Sequence, residues 1–260
     1  MNNPECWLLF SRGNILLTGS GDCLWQDIPS HLGEIVQRHP LGHHDGCFLT
    51  AVELAVPEAD AAERVDSVPV RTAIMAEALP GFLMHQAASL INWGRNNRCC
   101  SRCGGSLVES ARMDDRARVC KSCDYQSYPT VSPCIIVLIY RDDQILLARG
   151  IHHPPGFHSL IAGFVEPGET LEQAVAREVM EETGLIVSDI RYQSSQPWPF
   201  PHNLMVGFTA RCTGGKLQVD TRELVHADWF PTDNLPQLPP RQTIARQLVE
   251  GFLEPMRSGR

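Results

Sequence analysis

The chain has 260 residues, of which 43% are hydrophobic and 20% are charged, and its formal net charge is −8. This composition excludes a largely disordered chain, and the acidic balance argues against a general nucleic-acid-binding protein, since phosphate is attracted to basic surfaces. No apolar run approaches the length of a membrane span and the N-terminus lacks a secretory signal, so we expect a cytoplasmic protein without a membrane partner.

The N-terminal residues, 1–95, are predicted to form an α+β domain. Short apolar stretches at residues 7–10, 15–17 and 48–54 alternate with turn residues, which favours strands. A helical pattern then covers residues 80–93, where apolar side chains recur near one face. The sequence assigns no role to this domain.

Cysteines define the next module, residues 96–128. The stretch is poor in large aliphatic side chains, so it cannot build a conventional core. Its cysteines follow the pattern C-x2-C-x16-C-x2-C, whose two knuckles suit a closed tetrahedral zinc site with a structural role. Disulfides are the alternative, which a reducing compartment disfavours. The predicted zinc ligands are Cys100, Cys103, Cys120 and Cys123.

Residues 129–260 have the pattern of a compact α/β domain. A helix is predicted at residues 170–183, with Thr170 and Gln173 in capping positions and Gly184 at its end. The predicted strands cover residues 134–140, 144–149, 185–192, 204–211 and 227–230, and a last helix covers 242–252. Three modules are the simplest account of the chain.

Glutamates on one face of the predicted helix point to chemistry. Glu178, Glu181 and Glu182 are spaced i, i+3 and i+4, so their side chains project from the same side. Like charges at this spacing repel each other, which a purely structural helix would avoid. Hard oxygen ligands without a nearby histidine or cysteine suit Mg²⁺ or Mn²⁺. Taken alone, the three residues are also compatible with an exposed acidic helix face.

The segment around this helix resembles the Nudix box, G-x5-E-x7-R-E-U-x-E-E-x-G-U, where U is aliphatic. Every fixed position is matched, by Gly163, Glu169, Arg177, Glu178, Val179, Glu181, Glu182, Gly184 and Leu185. The resemblance implies an α/β (α+β) protein with a Nudix α/β/α sandwich, preceded here by the N-terminal α+β domain and the zinc ribbon. It also implies hydrolysis of a diphosphate, in which metals neutralise charge and activate a water.

The same resemblance assigns roles to single residues. Glu178, Glu181 and Glu182 are implied as the catalytic group, and we favour Glu178 over Glu181 as the base that takes the proton of the water or positions it. Glu169 and Arg177 are implied to brace the loop before the helix. The implied ligands of Mg²⁺ or Mn²⁺ are Ala162, through its carbonyl, and Glu178, Glu181, Glu182 and Glu223.

A second motif, Ser195-Gln-Pro-Trp-Pro-Phe-Pro201, follows the box. Together with the zinc ribbon it resembles the bacterial NADH pyrophosphatases of the Nudix family, from about Arg71 to the C-terminus. Three prolines suit a rigid loop and two aromatic rings suit stacking on nicotinamide or adenine, although a proline-rich connection with inward-packed rings is the alternative. The substrate contacts implied by the resemblance are Arg71, Tyr128, Phe164, Gln196, Pro197, Trp198, Pro199, Phe200, Pro201, His202, Asn203 and Ala245.

The NADH pyrophosphatases imply a homodimer that cleaves NAD(H) to NMN(H) and AMP, with Mg²⁺ or Mn²⁺ for catalysis and one structural Zn²⁺ per subunit. On RNA with a 5′ NAD cap, the same cut would release NMN and leave a 5′-monophosphate end. Hydrolysis of ADP-ribose or a dinucleoside polyphosphate is the alternative within the family. A non-catalytic, NAD-sensing zinc-ribbon regulator is the alternative outside it, but a sensor would be free to lose the carboxylates that this chain keeps.

Seven basic residues stand against three acidic ones between Arg95 and Lys121. If RNA is a substrate, this stretch is predicted to hold it through phosphate contacts, with Arg112, Arg116 and Arg118 among the residues involved. A solvated surface run of charge is the alternative.

Overall fold

The computed structural model describes residues 4–55, 65–79, 81–112 and 115–258. The chain divides into two compact units. The first unit comprises Met1–Thr130 with Pro199–His202, and the second comprises Val131–Trp198 with Asn203–Arg260. No helix within the described ranges is long and apolar enough to cross a membrane.

A six-stranded sheet forms the centre of the first unit. Its strands are β1 (Glu5–Ser11), β2 (Asn14–Leu16), β3 (Leu24–Trp25), β4 (Glu34–His44), β5 (Cys47–Ala55) and β6 (Ser67–Pro69), and a 3₁₀ helix covers Ser30–Leu32. The strand order is β4-β5-β1-β2-β6, with β3 also paired to β1, and β1 runs parallel to β5. The strands predicted at residues 7–10, 15–17 and 48–54 are confirmed as β1, β2 and β5.

Strand β4 was not predicted. Pro40 and Gly42 interrupt its alternating pattern, and its pairing with β5 shifts register between these two residues. It lies at one edge of the sheet, where Ile35 and Val36 are exposed. Edge strands tolerate proline and bulges because one row of backbone groups needs no partner strand, so the usual sequence signal is weak there.

Helices α1 (Val70–Met75) and α2 (Gly81–Asn96) complete the core of this unit. Leu8 and Phe10 of β1 are buried in one cluster with Met84 and Ile91 of α2. The intervening Leu9 is buried in a separate cluster. The alternation of buried side chains along β1 therefore places apolar packing on both faces of the sheet. Helix α2 confirms the predicted helix from residue 81 to residue 93, and residue 80, where the prediction began, lies outside the described residues.

A small three-stranded sheet follows α2 within the first unit. It consists of β7 (Leu107–Glu109), β8 (Arg118–Cys120) and β9 (Gln126–Ser127), paired antiparallel in that order. Among its described residues, one buried cluster comprises Cys100, Leu107 and Cys120, with Cys123 packed against them. The cysteine-rich stretch is therefore a ribbon without a substantial apolar core, as its composition predicts.

The second unit is built on another six-stranded sheet. Its strands are β10 (Ser132–Arg141), β11 (Gln144–Gly150), β12 (Ile161–Phe164), β13 (Leu185–Trp198), β14 (Asn203–Gly215) and β15 (Leu224–Pro231). The order is β13-β14-β10-β11-β15, with β12 also paired to β10, and β10 runs parallel to β14. All five strands predicted in this part of the chain are confirmed.

Two helices cover the two faces of this sheet, α3 (Leu171–Thr183) and α4 (Ile244–Ser258). On β10, Ile135 and Val137 are buried in the cluster that contains Val175 and Val179 of α3. Ile136 and Leu138 are buried in the cluster that contains Ile244 and Leu248 of α4. The apolar middle of β10, residues 134–139, is thus covered on both sides, which gives the α/β/α sandwich that the Nudix resemblance implies.

Two features of the second unit differ from the prediction. Strand β12 was not predicted, because four residues are too short for a periodic signal. Strand β13 runs on to Trp198, so the first half of the Ser195–Pro201 motif is strand rather than loop. Pro197 fits there because β13 lies at the edge of the sheet, where a missing N–H is tolerated.

Candidate active site

The ends of α3 are fixed by local contacts. Thr170 accepts a hydrogen bond from the backbone N–H of Gln173, and the Gln173 side chain accepts one from the backbone N–H of Thr170. This reciprocal pair is a capping box. At the other end, Gly184 has a φ of 68°, the left-handed conformation that glycine adopts without strain. The helix that carries the glutamates is therefore held at both termini.

Gly163 of β12 allows α3 to approach the sheet closely. A Cβ atom at this position would overlap the carboxyl group of Glu178. The side chain of Glu178 thus lies directly over β12 at Gly163. The glycine that opens the box is required by space rather than by its φ angle.

Arg177 organises the carboxyl groups around it. Its Nε and Nη2 atoms donate to the two oxygens of Glu169 at 2.6 and 2.9 Å, and Nη2 also donates to the carbonyl of Phe164 at 2.9 Å. Its Nη1 atom donates to Glu178 at 2.8 Å and to Glu181 at 3.1 Å. The contact expected between Glu169 and Arg177 is present, and the guanidinium lowers the pKa of Glu169 to about 2.

The three glutamates differ in exposure. Glu181 is exposed, whereas burial raises the pKa of Glu178, and burial followed by the charge of Glu223 raises the pKa of Glu182 to about 8. Glu223 itself is exposed and follows a segment that pairs with the end of α3, since the N–H of Asp220 donates to the carbonyl of Glu182 at 2.9 Å. The fold therefore brings the loop carboxylate of residue 223 to the glutamates of the helix.

This donor set fits a hard divalent cation. Buried carboxylates that repel each other are stabilised in the charged form by a cation, and their oxygens are the ligands that Mg²⁺ and Mn²⁺ prefer. Ala162 lies half-buried in β12 and pairs with Ile136 of β10. Its backbone is adjacent to Gly163 and hence to Glu178.

The ribbon cysteines form a separate site. The Sγ atoms of Cys100, Cys103, Cys120 and Cys123 all lie within 4.8 Å of one another. Backbone N–H groups point at two of them, from Arg102 to Cys100 and from Ser122 to Cys120, each at 3.4 Å. None of the ten cysteines, all of which are described, forms a disulfide. Four convergent thiol groups with this spacing fit a tetrahedral Zn²⁺.

Some of the residues expected to contact the substrate lie in the second unit. Phe164 is 52% exposed and follows Gly163, while Ala245 is buried at the start of α4. Trp198, preceded by Pro197, pairs with Asn203 across β13 and β14. The Oδ1 atom of Asn203 is buried and has no hydrogen-bond partner among the described residues. Gln196 differs from the rest, because its side chain is bonded to the backbone at the start of α4.

The remaining expected contacts belong to the first unit. The Arg71 guanidinium lies 4.6 Å from the centroid of the Phe200 ring, and Phe200 packs against the core of that unit. Tyr128 is exposed after the ribbon. Pro199 is buried, Pro201 is exposed and His202 is half-buried. The structure thus brings Arg71 and Phe200 together within one unit.

Asn92 was missed by the sequence analysis. Its amide donates to the carbonyl of Pro199 at 3.0 Å. This contact anchors the second half of the Ser195–Pro201 motif. An asparagine on a helix gives no pattern that identifies such a role, because its partner is 107 residues away.

Fewer basic side chains of the stretch from Arg95 to Lys121 are available to phosphate than their number in the sequence suggests. Arg118 is buried, and its Nη1 atom donates to the carbonyls of Gly94 at 2.6 Å and Asn97 at 2.9 Å. Arg95 pairs with Glu53. The prediction that Arg118 contacts RNA is therefore wrong, since its guanidinium is used inside the first unit. Five basic residues of the stretch are exposed: Arg98, Arg102, Arg112, Arg116 and Lys121.

Known proteins are similar to this chain. A sequence profile for the NUDIX domain matches residues 131–252. Over 187 residues the chain is 46% identical to the NAD-capped RNA hydrolase NudC of Salmonella heidelberg (strain SL476), covering 72% of each chain. Over 173 residues it is 49% identical to the NAD-capped RNA hydrolase NudC of Klebsiella pneumoniae (strain 342), covering 66% of each. A NUDIX hydrolase structure from Nitrosomonas europaea covers 62% of this chain and 91% of its own, with a TM-score of 0.51 and 24% identity, which shows a shared fold.

Proposed function

The chain belongs to the Nudix family, and we propose that it is a metal-dependent pyrophosphohydrolase that cleaves NAD(H) to NMN(H) and AMP. We further propose that it removes the NAD cap of RNA and leaves a 5′-monophosphate end, as the names of its relatives indicate for those proteins. The observation that best supports this function is the carboxylate cluster of α3. Arg177 donates hydrogen bonds to Glu178 and Glu181, and Glu182 is buried on the same helix. A structural helix has no need of this arrangement.

We assign different roles to the residues of this cluster. Glu178, Glu181, Glu182, Glu223 and the carbonyl of Ala162 would hold Mg²⁺ or Mn²⁺, which neutralises diphosphate charge and activates water when bound. Arg177 orients Glu178 and Glu181 by donating to both. Glu181 is the more exposed of these two, whereas Glu178 lies against β12. Either can accept the proton of the attacking water.

Replacing Glu178 by Gln tests this function. The change keeps the size of the side chain but removes a metal ligand, so we expect kcat/KM for NADH to fall by orders of magnitude. The protein should stay folded, because burial raises the pKa of the Glu178 carboxyl group and thus disfavours its charged form, which the change removes. Turnover and thermal unfolding are measured on the same preparation.

Glu172→Gln is the matched control, since Glu172 is exposed in the first turn of the same helix. It should retain wild-type turnover. Near-normal turnover of a folded Glu178→Gln protein would contradict the proposal.

We propose three further properties: a cytoplasmic location, a structural zinc and a homodimer. The ten free thiols suit a reducing compartment, which supports a cytoplasmic location. The four-thiol cluster supports one structural Zn²⁺ per chain. The NADH pyrophosphatase resemblance supports a homodimer, which sedimentation of the purified protein would test.

A further inference from the structure

Gln196 links the end of β13 to the start of α4, both in the second unit. Its Nε2 atom donates to the carbonyl of Gln242 at 2.6 Å, and its Oε1 atom accepts from the backbone N–H of Ile244 at 2.8 Å. Ile244 is the first residue of α4, where backbone N–H groups have no partner within the helix. The side chain therefore caps the helix from a neighbouring strand, and its acceptor and one of its donors are occupied.

Other contacts hold the same helix start. The hydroxyl of Thr243 donates to the carbonyl of Pro240 at 2.7 Å and accepts from the N–H of Arg246 at 3.4 Å. Beneath the helix, Gly207 of β14 leaves little room, because a Cβ there would lie 3.0 Å from Ile244. The first turn of α4 is thus held along the sheet by Gln196, and a shift toward the sheet is blocked by β14.

We propose that Gln196 is a positioning residue, which acts on substrate binding through the backbone of residues 242–244 and not through a contact with the substrate. Two expected substrate contacts depend on the two segments that it joins. Trp198 lies two residues further along β13, and Ala245 directly follows Ile244 on α4. Gln196 sets the spacing between these segments before any substrate arrives.

The substitution Gln196→Met separates this role from direct contact. Methionine keeps the length of the side chain but lacks the amide, so both hydrogen bonds are lost. We expect the amide hydrogen of Ile244 in the ligand-free protein to exchange about tenfold faster, as the loss of a hydrogen bond predicts. The KM for NADH should rise about tenfold while kcat changes less than about twofold, because spacing affects binding more than the chemical step. The kinetic part rests on the proposed function.

Two variants support the comparison. Gln193→Met is the matched control, since Gln193 lies on the same strand and its amide donates to Thr209 of β14, at 3.0 Å, rather than to α4. It should leave both the exchange of Ile244 and the KM unchanged. Gln196→Glu keeps an acceptor for the N–H of Ile244 and should restore slow exchange there, even if Gln196→Met folds poorly.

The outcomes decide between the roles. Wild-type exchange at Ile244 in Gln196→Met, together with a raised KM, would mean that Gln196 contacts the substrate directly and would overturn the proposal. Faster exchange with an unchanged KM would overturn it too, because the position of α4 would then not affect binding. A wild-type protein inactive on NADH and NAD-capped RNA would overturn the proposed function, and the exchange rates would still decide whether Gln196 positions α4.

Discussion

At the scale of single residues, His39 of β4 is the clearest case of a titratable group kept neutral by its surroundings. Its ring is buried, lies 6.1 Å from the ring of Trp93, and shares a hydrogen bond of 3.0 Å with Gln37. Burial, followed by the charges of Arg118 and Arg116, lowers the pKa of His39 from 6.5 to about 4. The folded protein therefore binds a proton at His39 less readily than the unfolded chain does.

This shift predicts a pH dependence of stability. A depressed folded pKa contributes stability that is complete above pH 6.5 and is lost as the pH falls from 6.5 toward 4. The loss should reach roughly 3 kcal/mol, at about 1.4 kcal/mol per pH unit. His39→Gln should remove this pH-dependent contribution. The difference in unfolding free energy between variant and wild type should therefore change between pH 6.5 and pH 4. Denaturant unfolding at a series of pH values measures it.

His31→Gln provides the control, since His31 is exposed. Its difference from wild type should stay constant between pH 6.5 and 4. A constant difference for His39→Gln would show that His39 does not cause the acid sensitivity. Comparing the variants with the wild type cancels any other effect of low pH that all of them share.

The sequence identified the residues whose relation is local and missed those whose relation is distant. Glu178, Glu181 and Glu182 fall on one face because of helix geometry alone, so their spacing was sufficient. Arg118 was misjudged because its partners, Gly94 and Gln37, lie 24 and 81 residues away. No local pattern distinguishes an arginine on the surface from one whose guanidinium is buried by such contacts.

At the scale of elements, helix α3 and strand β13 show the same difference between local relations, which the sequence predicts, and distant ones, which it does not. Helix α3 was predicted with its caps, because Thr170, Gln173 and Gly184 act within one or two turns. The last residues of β13 were expected to form a loop, since prolines dominate them. Pairing of Ser195–Trp198 with β14 makes them strand instead, which only the sheet could reveal.

The ribbon and the N-terminal domain are joined by β8, which carries both Arg118 and the cysteine Cys120. Arg118→Met should lower the free energy of unfolding by roughly 2–4 kcal/mol, because the carbonyls of buried Gly94 and half-buried Asn97 would lose a charged donor. The zinc content should equal that of the wild type under native conditions, since the four thiol groups are unchanged. Urea unfolding and metal analysis test both statements.

Arg116→Met is the matched control, because Arg116 is exposed two residues earlier. It should change the unfolding free energy by less than about 0.5 kcal/mol. Equal destabilisation by the two variants would show that the buried hydrogen bonds of Arg118 do not join the ribbon to the domain.

At the scale of the whole molecule, the distribution of exposed charge predicts where RNA would be bound. Arg102 and Lys121 are exposed, and each lies in one of the two cysteine knuckles, whose thiol groups converge. In a chain of net charge −8, we predict that this end of the ribbon binds the phosphates of RNA. Exposed Tyr125 and Tyr128 add rings on which unpaired bases can stack.

Substituting Arg102 and Lys121 together by Gln should therefore weaken the capture of NAD-capped RNA and spare the hydrolysis of NADH. The salt dependence of kcat/KM for RNA, plotted as logarithms, should become less steep by about 1.4, or about 0.7 per lost phosphate contact. The measurement is kcat/KM for both substrates across a salt series.

The double variant Arg191→Gln with Lys216→Gln removes the same charge from exposed positions of the second unit. It should leave the salt slope for RNA unchanged. If the ribbon variant lowers kcat/KM for NADH as much as for RNA, the knuckle residues serve folding and the proposed RNA contact fails.

The parallel pairing of β10 with β14 has a consequence for the making of the protein in the cell. Ribosomes release the chain from its N-terminus, and β14 follows β10 only after α3 and β13 have been synthesised. At about 5–20 residues per second, the interval is roughly 4–15 s. During that time one edge of β10, whose residues 134–139 are apolar, has no partner strand. The nascent chain therefore passes through a stage in which chaperone binding or aggregation competes with completion of the sheet.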